Sequence, residues 1–162
     1  MFNATILLLG LAAGIIHLIV KRRSLNKTRG MELLVLYCIF FGIGLVSMAA
    51  FIGQVFFPER VASMLGWALS PLHKDIAIYA GVWGLLGLMA IWIRGSFVHA
   101  VVIGWSVFML GAGVGHITGA SVPASSAAAN FGSIYLDMGA TLLIILLWAA
   151  WLGMRRYKSH HC

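Results

Sequence analysis

Acidic side chains are nearly missing from this sequence. Asp and Glu number 4 among 162 residues, and all charged types together reach 9%, whereas soluble domains carry about 25%. A water-facing surface cannot be assembled from that supply. Cysteine is scarce as well: Cys38 and Cys162 cannot staple a disulfide framework, and both are expected to be reduced thiols. The sequence also lacks a paired CxxC, an HExxH, a phosphate loop and a nucleophile elbow, so none of the reactions those motifs serve is indicated. What lies between the apolar stretches is too scattered for a soluble catalytic domain, a nucleotide-binding fold or a nucleic-acid module.

Apolar residues, by contrast, make up 62% of the chain. Five apolar stretches, 4–20, 31–57, 75–93, 97–117 and 133–154, contain only Glu32, Asp75 and Asp137 as charges. A helix rises about 1.5 Å per residue, so about 20 residues cross a hydrocarbon core of about 30 Å, and each stretch is near or above that length. Lipid offers the backbone no hydrogen-bond partner, and the stretches lack the period-two alternation of barrel strands, which leaves helices. The expectation is an all-α integral membrane bundle of five transmembrane helices, a single membrane domain over 1–162. The first stretch reads as a retained span and not a signal peptide, because Lys21, Arg22 and Arg23 follow the apolar run instead of preceding it.

A formal net charge of +7 would suit nucleic acid, but the positions of the basic residues assign it elsewhere. Lys21, Arg22, Arg23, Lys27, Arg29, Arg94, Arg155, Arg156 and Lys158 fall in segments that five alternating spans put on one side, and only Arg60 and Lys74 fall on the other. By the positive-inside rule the N-terminus is outside and the C-terminus cytoplasmic. The basic charge then orients the bundle and meets the headgroups of membrane lipid, with no nucleic-acid partner.

Between spans two and three, Val61, Met64, Leu65, Ala68 and Leu69 recur at helical spacing with Glu59, Arg60 and Ser63 opposite, which predicts a short amphipathic surface helix over about 58–70. Ser70-Pro71 reads as a cap and first helical position, so span three starts near Pro71. The segment Thr118 to Gly132, rich in Ala, Ser and Gly with Pro123, is expected to be a loop. Gly10 with Gly14, the series Gly111, Gly115 and Gly119, and the group Gly81, Gly84 and Gly87 mark close helix contacts, within the bundle or in a homo-oligomer.

Polar groups inside spans are costly, so they carry the functional reading. Gln54, Asp75, Tyr79, His116, Asn130 and Asp137 all fall near the outer ends of spans two to five. Asn130, Ser133, Asp137 and Thr141 form a polar stripe on span five. Three readings stay open for this ring. It is a register device, with Asp75 favoured by the helix dipole and His116 paired with Asp137. It is a ligand-binding pocket for a small molecule or ion. Or it holds a metal ion through His116, Asp137 and Asp75, with Glu59 or His73 nearby. Haem is a further cofactor to weigh, since His17 with His99 and His73 with His116 form two pairs at matching depth. The terminal His160-His161-Cys162 could chelate a soft metal but is a poor site at a frayed end.

Other pieces carry a resemblance: Phe57-Pro58, Leu65-Gly66-Trp67, Ser70-Pro71, Gly84-Leu85-Leu86-Gly87-Leu88, Ile103-Gly104-Trp105-Ser106-Val107-Phe108, Gly111-Ala112-Gly113-Val114-Gly115-His116, Asn130 and Asp137. Over Gly53 to Asp137, about half the chain, the sequence resembles an uncharacterised family of small bacterial integral-membrane proteins that carries a domain of unknown function. The resemblance implies a multi-pass bacterial membrane protein, with Asp75 in the place of a carboxylate that follows the Ser-Pro segment, and implies no reaction. The expectation is a bacterial inner-membrane protein that binds or passes a small molecule or ion at an outward-facing polar pocket. The alternatives are a metal- or haem-dependent redox enzyme or subunit, and a structural or partner-binding membrane subunit.

Overall fold

The computed structural model describes residues 2–65, 69, 72–118 and 124–160, and within them every side chain except those of 2–4, 65, 72, 116, 124–137 and 158–160. Among the described residues every regular element is a helix: α1 (Phe2–Val20), α2 (Lys27–Cys38), a π-helical segment (Ile39–Leu45), α3 (Val46–Phe56), α4 (Pro58–Leu65), α5 (Leu72–Met89), α6 (Ser96–Ile117) and α7 (Ala124–His160). Each of the five apolar stretches coincides with one of the long helices. Three helical segments, Lys27–Phe56, Ser96–Gly115 and Met138–Tyr157, are long and apolar enough to cross a membrane. Thr5–Val20 is a shorter apolar helix, and α5 carries His73, Lys74 and Asp75 in its first turn, which dilutes its apolar run.

Local chemistry sets the boundaries. Asn26 caps α2 by accepting the Arg29 N–H at 2.9 Å. Pro58 cannot continue α3, and it opens α4 instead. Between α5 and α6 the chain turns at Gly95, whose φ of 72° is one that a side chain rarely tolerates. The expected loop over 118–132 is shorter than its composition suggested, because α7 already starts at Ala124. Ala124, Ala127, Ala128 and Ala129 are the strongest helix formers, and reading them as loop material was the error. Residues 66–68 and 70–71, including Trp67 and the Ser70-Pro71 cap, and residues 119–123 lie outside the described residues, so the last part of the surface helix and the start of span three are not described.

The surface is that of a membrane protein. Leu8, Ile16, Ile19, Val20, Ile78, Leu85, Ile103, Val107 and Leu146 are all exposed, far more apolar surface than water tolerates. On α4, Ala62 is buried and Val61 packs on α3 while Met64 is 76% exposed, so this helix divides its apolar residues between the bundle and the outside.

Glycines decide which helices meet. A Cβ on Gly87 would stand 2.5 Å from the Gly44 nitrogen, one on Gly84 2.8 Å from the Met48 nitrogen, and one on Gly81 2.8 Å from Phe51 Cδ2. Helix α5 therefore lies backbone to backbone on the π segment and α3. Gly10 instead receives the Phe41 side chain, and Gly42 faces the Leu7 and Ile144 side chains, bringing α1 and α7 to the π segment. The π segment is where α1 and α5 both pack, with the Ile144 side chain of α7 beside it. Helix α7 packs on α6, α2 and α1, and α5 meets α6 through the Trp83 ring, which lies against Gly104, Trp105 and Phe108. A continuous core of Val35, Leu36, Cys38, Ile39, Ile43, Val98, Val101, Val102, Trp105, Ile144 and Trp151 fills the half of the bundle nearer Lys21, Arg94 and Arg155, called the basic end below.

Candidate functional site

The glycine contacts fix the register of α3 against α5. Gly44 faces Gly87, Met48 faces Gly84 and Phe51 faces Gly81, so one further turn brings Gln54 to the level of Ala77. On α5 the inward face continues through Ala77 to His73, both buried. On α3, Gln54 lies seven residues beyond Ser47, which is two turns along one face. Both carry a buried polar atom with no hydrogen-bond partner among the described residues: the Ser47 hydroxyl and the Gln54 Oε1.

These orphans are informative because helices normally satisfy such groups. The Ser106 hydroxyl, equally buried, donates to the Val102 carbonyl at 2.7 Å, the usual back-bond to the preceding turn. Ser47 is the second residue after the π segment, whose i→i+5 ladder changes where the preceding carbonyls lie. Gln54 has no such local outlet at all. An unmade bond at a buried carbonyl costs about 1–3 kcal/mol. Over this end of α3 folds α4, with the Val61 side chain 3.4 Å from where a Gly53 Cβ would stand and with contacts to α7 as well.

The other residues expected in the polar ring are distributed as follows. Asp75 and Tyr79 lie on the outward side of α5, Tyr79 with 60% of its surface exposed, because the glycine face commits His73 and Ala77 to the inside. The side chains of His116, Asn130 and Asp137 lie outside the described residues. Their backbones belong to the end of α6 and the first half of α7. Met138 packs on Gly113, its sulfur 2.5 Å from the position of a Cβ there, so the backbones of Asp137 and His116 differ in depth by only about 3 Å. Thr141 of the α7 stripe is fully buried. Among the described residues no group of three or more His, Cys, Asp and Glu is placed to hold a metal ion.

The two histidines at the basic end have partners of their own. His17 Nδ1 is hydrogen-bonded to the Tyr37 hydroxyl at 2.9 Å, and His99 Nδ1 accepts the Trp148 indole N–H at 2.8 Å. Ser47 and the inward turn of His73 were missed from sequence, since a serine in an apolar run gives no signal and the facing of His73 depends on the glycine contacts.

Residues 1–156 match the model of a family of unknown function, DUF6790. The chain belongs to that family. The match takes in α1 and the whole of α2 and α3, well beyond the segment on which the sequence resemblance rested. No curated protein and no solved structure matches this DUF6790 member. In it, the orphaned Gln54 oxygen, the buried His73 and the covering α4 together mark the end of the bundle away from the basic residues.

Proposed function

We propose that this protein is a multi-pass protein of the bacterial inner membrane, crossing five times with its N-terminus outside, and that it binds or passes a small molecule or ion at its outer end. The observation that carries the proposal is the Gln54 Oε1, buried and without a partner among the described residues, on the α3 face that meets α5. A lone acceptor in a low-dielectric site asks for a donor, so the ligand is a small cation or a molecule presenting an N–H or O–H. His116, Asn130 and Asp137, carried by α6 and α7 at the same end, supply the remaining polar contacts. Asp75 and Tyr79, on the open side of α5, stand at the margin of the site.

The test is thermal unfolding of the full chain in detergent, with ammonium, potassium or methylammonium chloride as probes and with choline chloride at equal ionic strength as reference. A probe that binds only the folded state at 100 times its Kd stabilises it by about 2.7 kcal/mol, and that gain should vanish in Gln54→Leu. Without a probe Gln54→Leu should be as stable as the parent, since the substitution removes an orphan and no bond. If Gln54→Leu is strongly destabilised and no probe separates the two proteins, the residue serves packing and the site reading is wrong.

A further inference from the structure

At the basic end, where α6 begins and α7 runs out, three groups hold hydrogen-bond donors and offer no acceptor. The Trp148 Nε1–H donates to Nδ1 of His99 at 2.8 Å. An indole can only donate, so this Nδ1 is the bare nitrogen of a neutral imidazole, and the ring proton of His99 sits on Nε2 as a further donor. Trp151 is 2% exposed and lies against the same imidazole, ring centroids 5.4 Å apart. Its own Nε1–H is buried with no hydrogen-bond partner among the described residues. The Arg155 guanidinium lies over the Trp151 ring, 5.0 Å from its centroid, and has no carboxylate partner among the described residues. Glu32, the one acidic residue in the segments at this end, faces Arg29 at 3.8 Å.

Donors with a fixed positive charge and no acceptor are complementary to an anion that presents several oxygens, a phosphate above all. The surroundings say in what molecule. His99, Ile103 and Val107 follow at four-residue spacing along one face of α6, and Ile103 and Val107 are 51% and 71% exposed. An apolar track thus leads away from the imidazole along the bundle. Free phosphate has no use for the track, whereas a phospholipid uses both halves. A zwitterionic headgroup would bring an ammonium next to Arg155 with no carboxylate to receive it, so a net negative headgroup fits better.

We infer that the rim between α6 and α7 at the basic end binds the phosphodiester of an anionic phospholipid. Arg155 supplies charge, Trp151 and His99 supply N–H donors, and an acyl chain runs along Ile103 and Val107. This site is separate from the one around Gln54 and does not depend on it.

Native mass spectrometry of the full chain in detergent tests the inference, with phosphatidylglycerol, phosphatidylcholine of the same chains, and inorganic phosphate added separately. The wild type should retain phosphatidylglycerol over phosphatidylcholine by roughly fivefold, the effect of one basic residue facing a net negative headgroup. Arg155→Gln should erase that preference, whereas Trp151→Phe, which keeps a ring and removes a donor to the phosphodiester that both lipids share, should lower the retention of both. Arg22→Gln, the same charge change elsewhere at this end, should keep it. Equal retention of the two lipids by the wild type overturns the inference however the variants fold. Equal loss in Arg22→Gln also overturns it, in favour of diffuse charge, and binding of inorganic phosphate without a lipid preference reassigns the site to the free anion.

Discussion

Gly87 lies against Gly44 so closely that a Cβ on Gly87 would stand 2.5 Å from the Gly44 backbone nitrogen. Backbone atoms cannot move aside as the end of a side chain can. The contact falls on the π segment, where α1 and α7 also arrive, so one pair of missing side chains fixes the place of α5 in the bundle. Against α6, α5 sets the Trp83 ring on Gly104, a side-chain contact that can adjust where the backbone contact at Gly87 cannot.

Gly87→Ala should therefore lower thermal stability in detergent by about 1–3 kcal/mol, the usual cost of overpacking a tight contact. Gly111→Ala is the control. A Cβ at Gly111 meets nothing within 4 Å, and alanine is favoured over glycine in a helix by about 0.5–1 kcal/mol. The second variant should match or exceed the parent in melting temperature. Two variants that melt alike would mean that the glycine face does not set the packing.

The hydrogen bond between His17 and Tyr37 ties α1 to α2 near the basic end. Tyr37→Phe removes the hydroxyl but keeps the ring stacked on Phe41, with centroids 6.2 Å apart and planes at 10°. The expected loss is about 1 kcal/mol. In a double-mutant cycle with His17→Leu the two losses should fail to add, because they remove the same bond. Additive losses would show that the bond contributes nothing beyond the packing of the two rings.

How far the sequence reaches can be judged from particular residues. The five long helices were legible because hydropathy and length speak directly to what lipid demands of a backbone. Helix α7 was legible only from about 133 onward, since the Ala-, Ser- and Gly-rich stretch before it resembles a loop in polarity while its alanines favour helix. The π segment left no trace, because Ile39-Phe40-Phe41-Gly42-Ile43-Gly44-Leu45 reads as any apolar run. The polar ring was legible as to depth but not as to facing. The inward turn of His73 and the outward turn of Asp75 and Tyr79 follow from which side of α5 carries Gly81, Gly84 and Gly87 and from what they meet, and one sequence shows the first but not the second.

The proposed five crossings can be separated from the four that would remain without α5 by the side on which the connection between α5 and α6 lies. Were α5 to lie along the surface, residues 90–95 would stay outside with α4, and Arg94 would violate the positive-inside rule. Ser96, exposed at the start of α6, is the position to ask. In a background with Cys38→Ala and Cys162→Ser, a membrane-impermeant maleimide should label Ser63→Cys on α4 in intact cells. Ser96→Cys should be labelled only after the inner membrane is opened. Labelling of Ser96→Cys in intact cells would take α5 out of the membrane. It would also remove the reason for placing the Gln54 site and the α6–α7 rim on opposite faces.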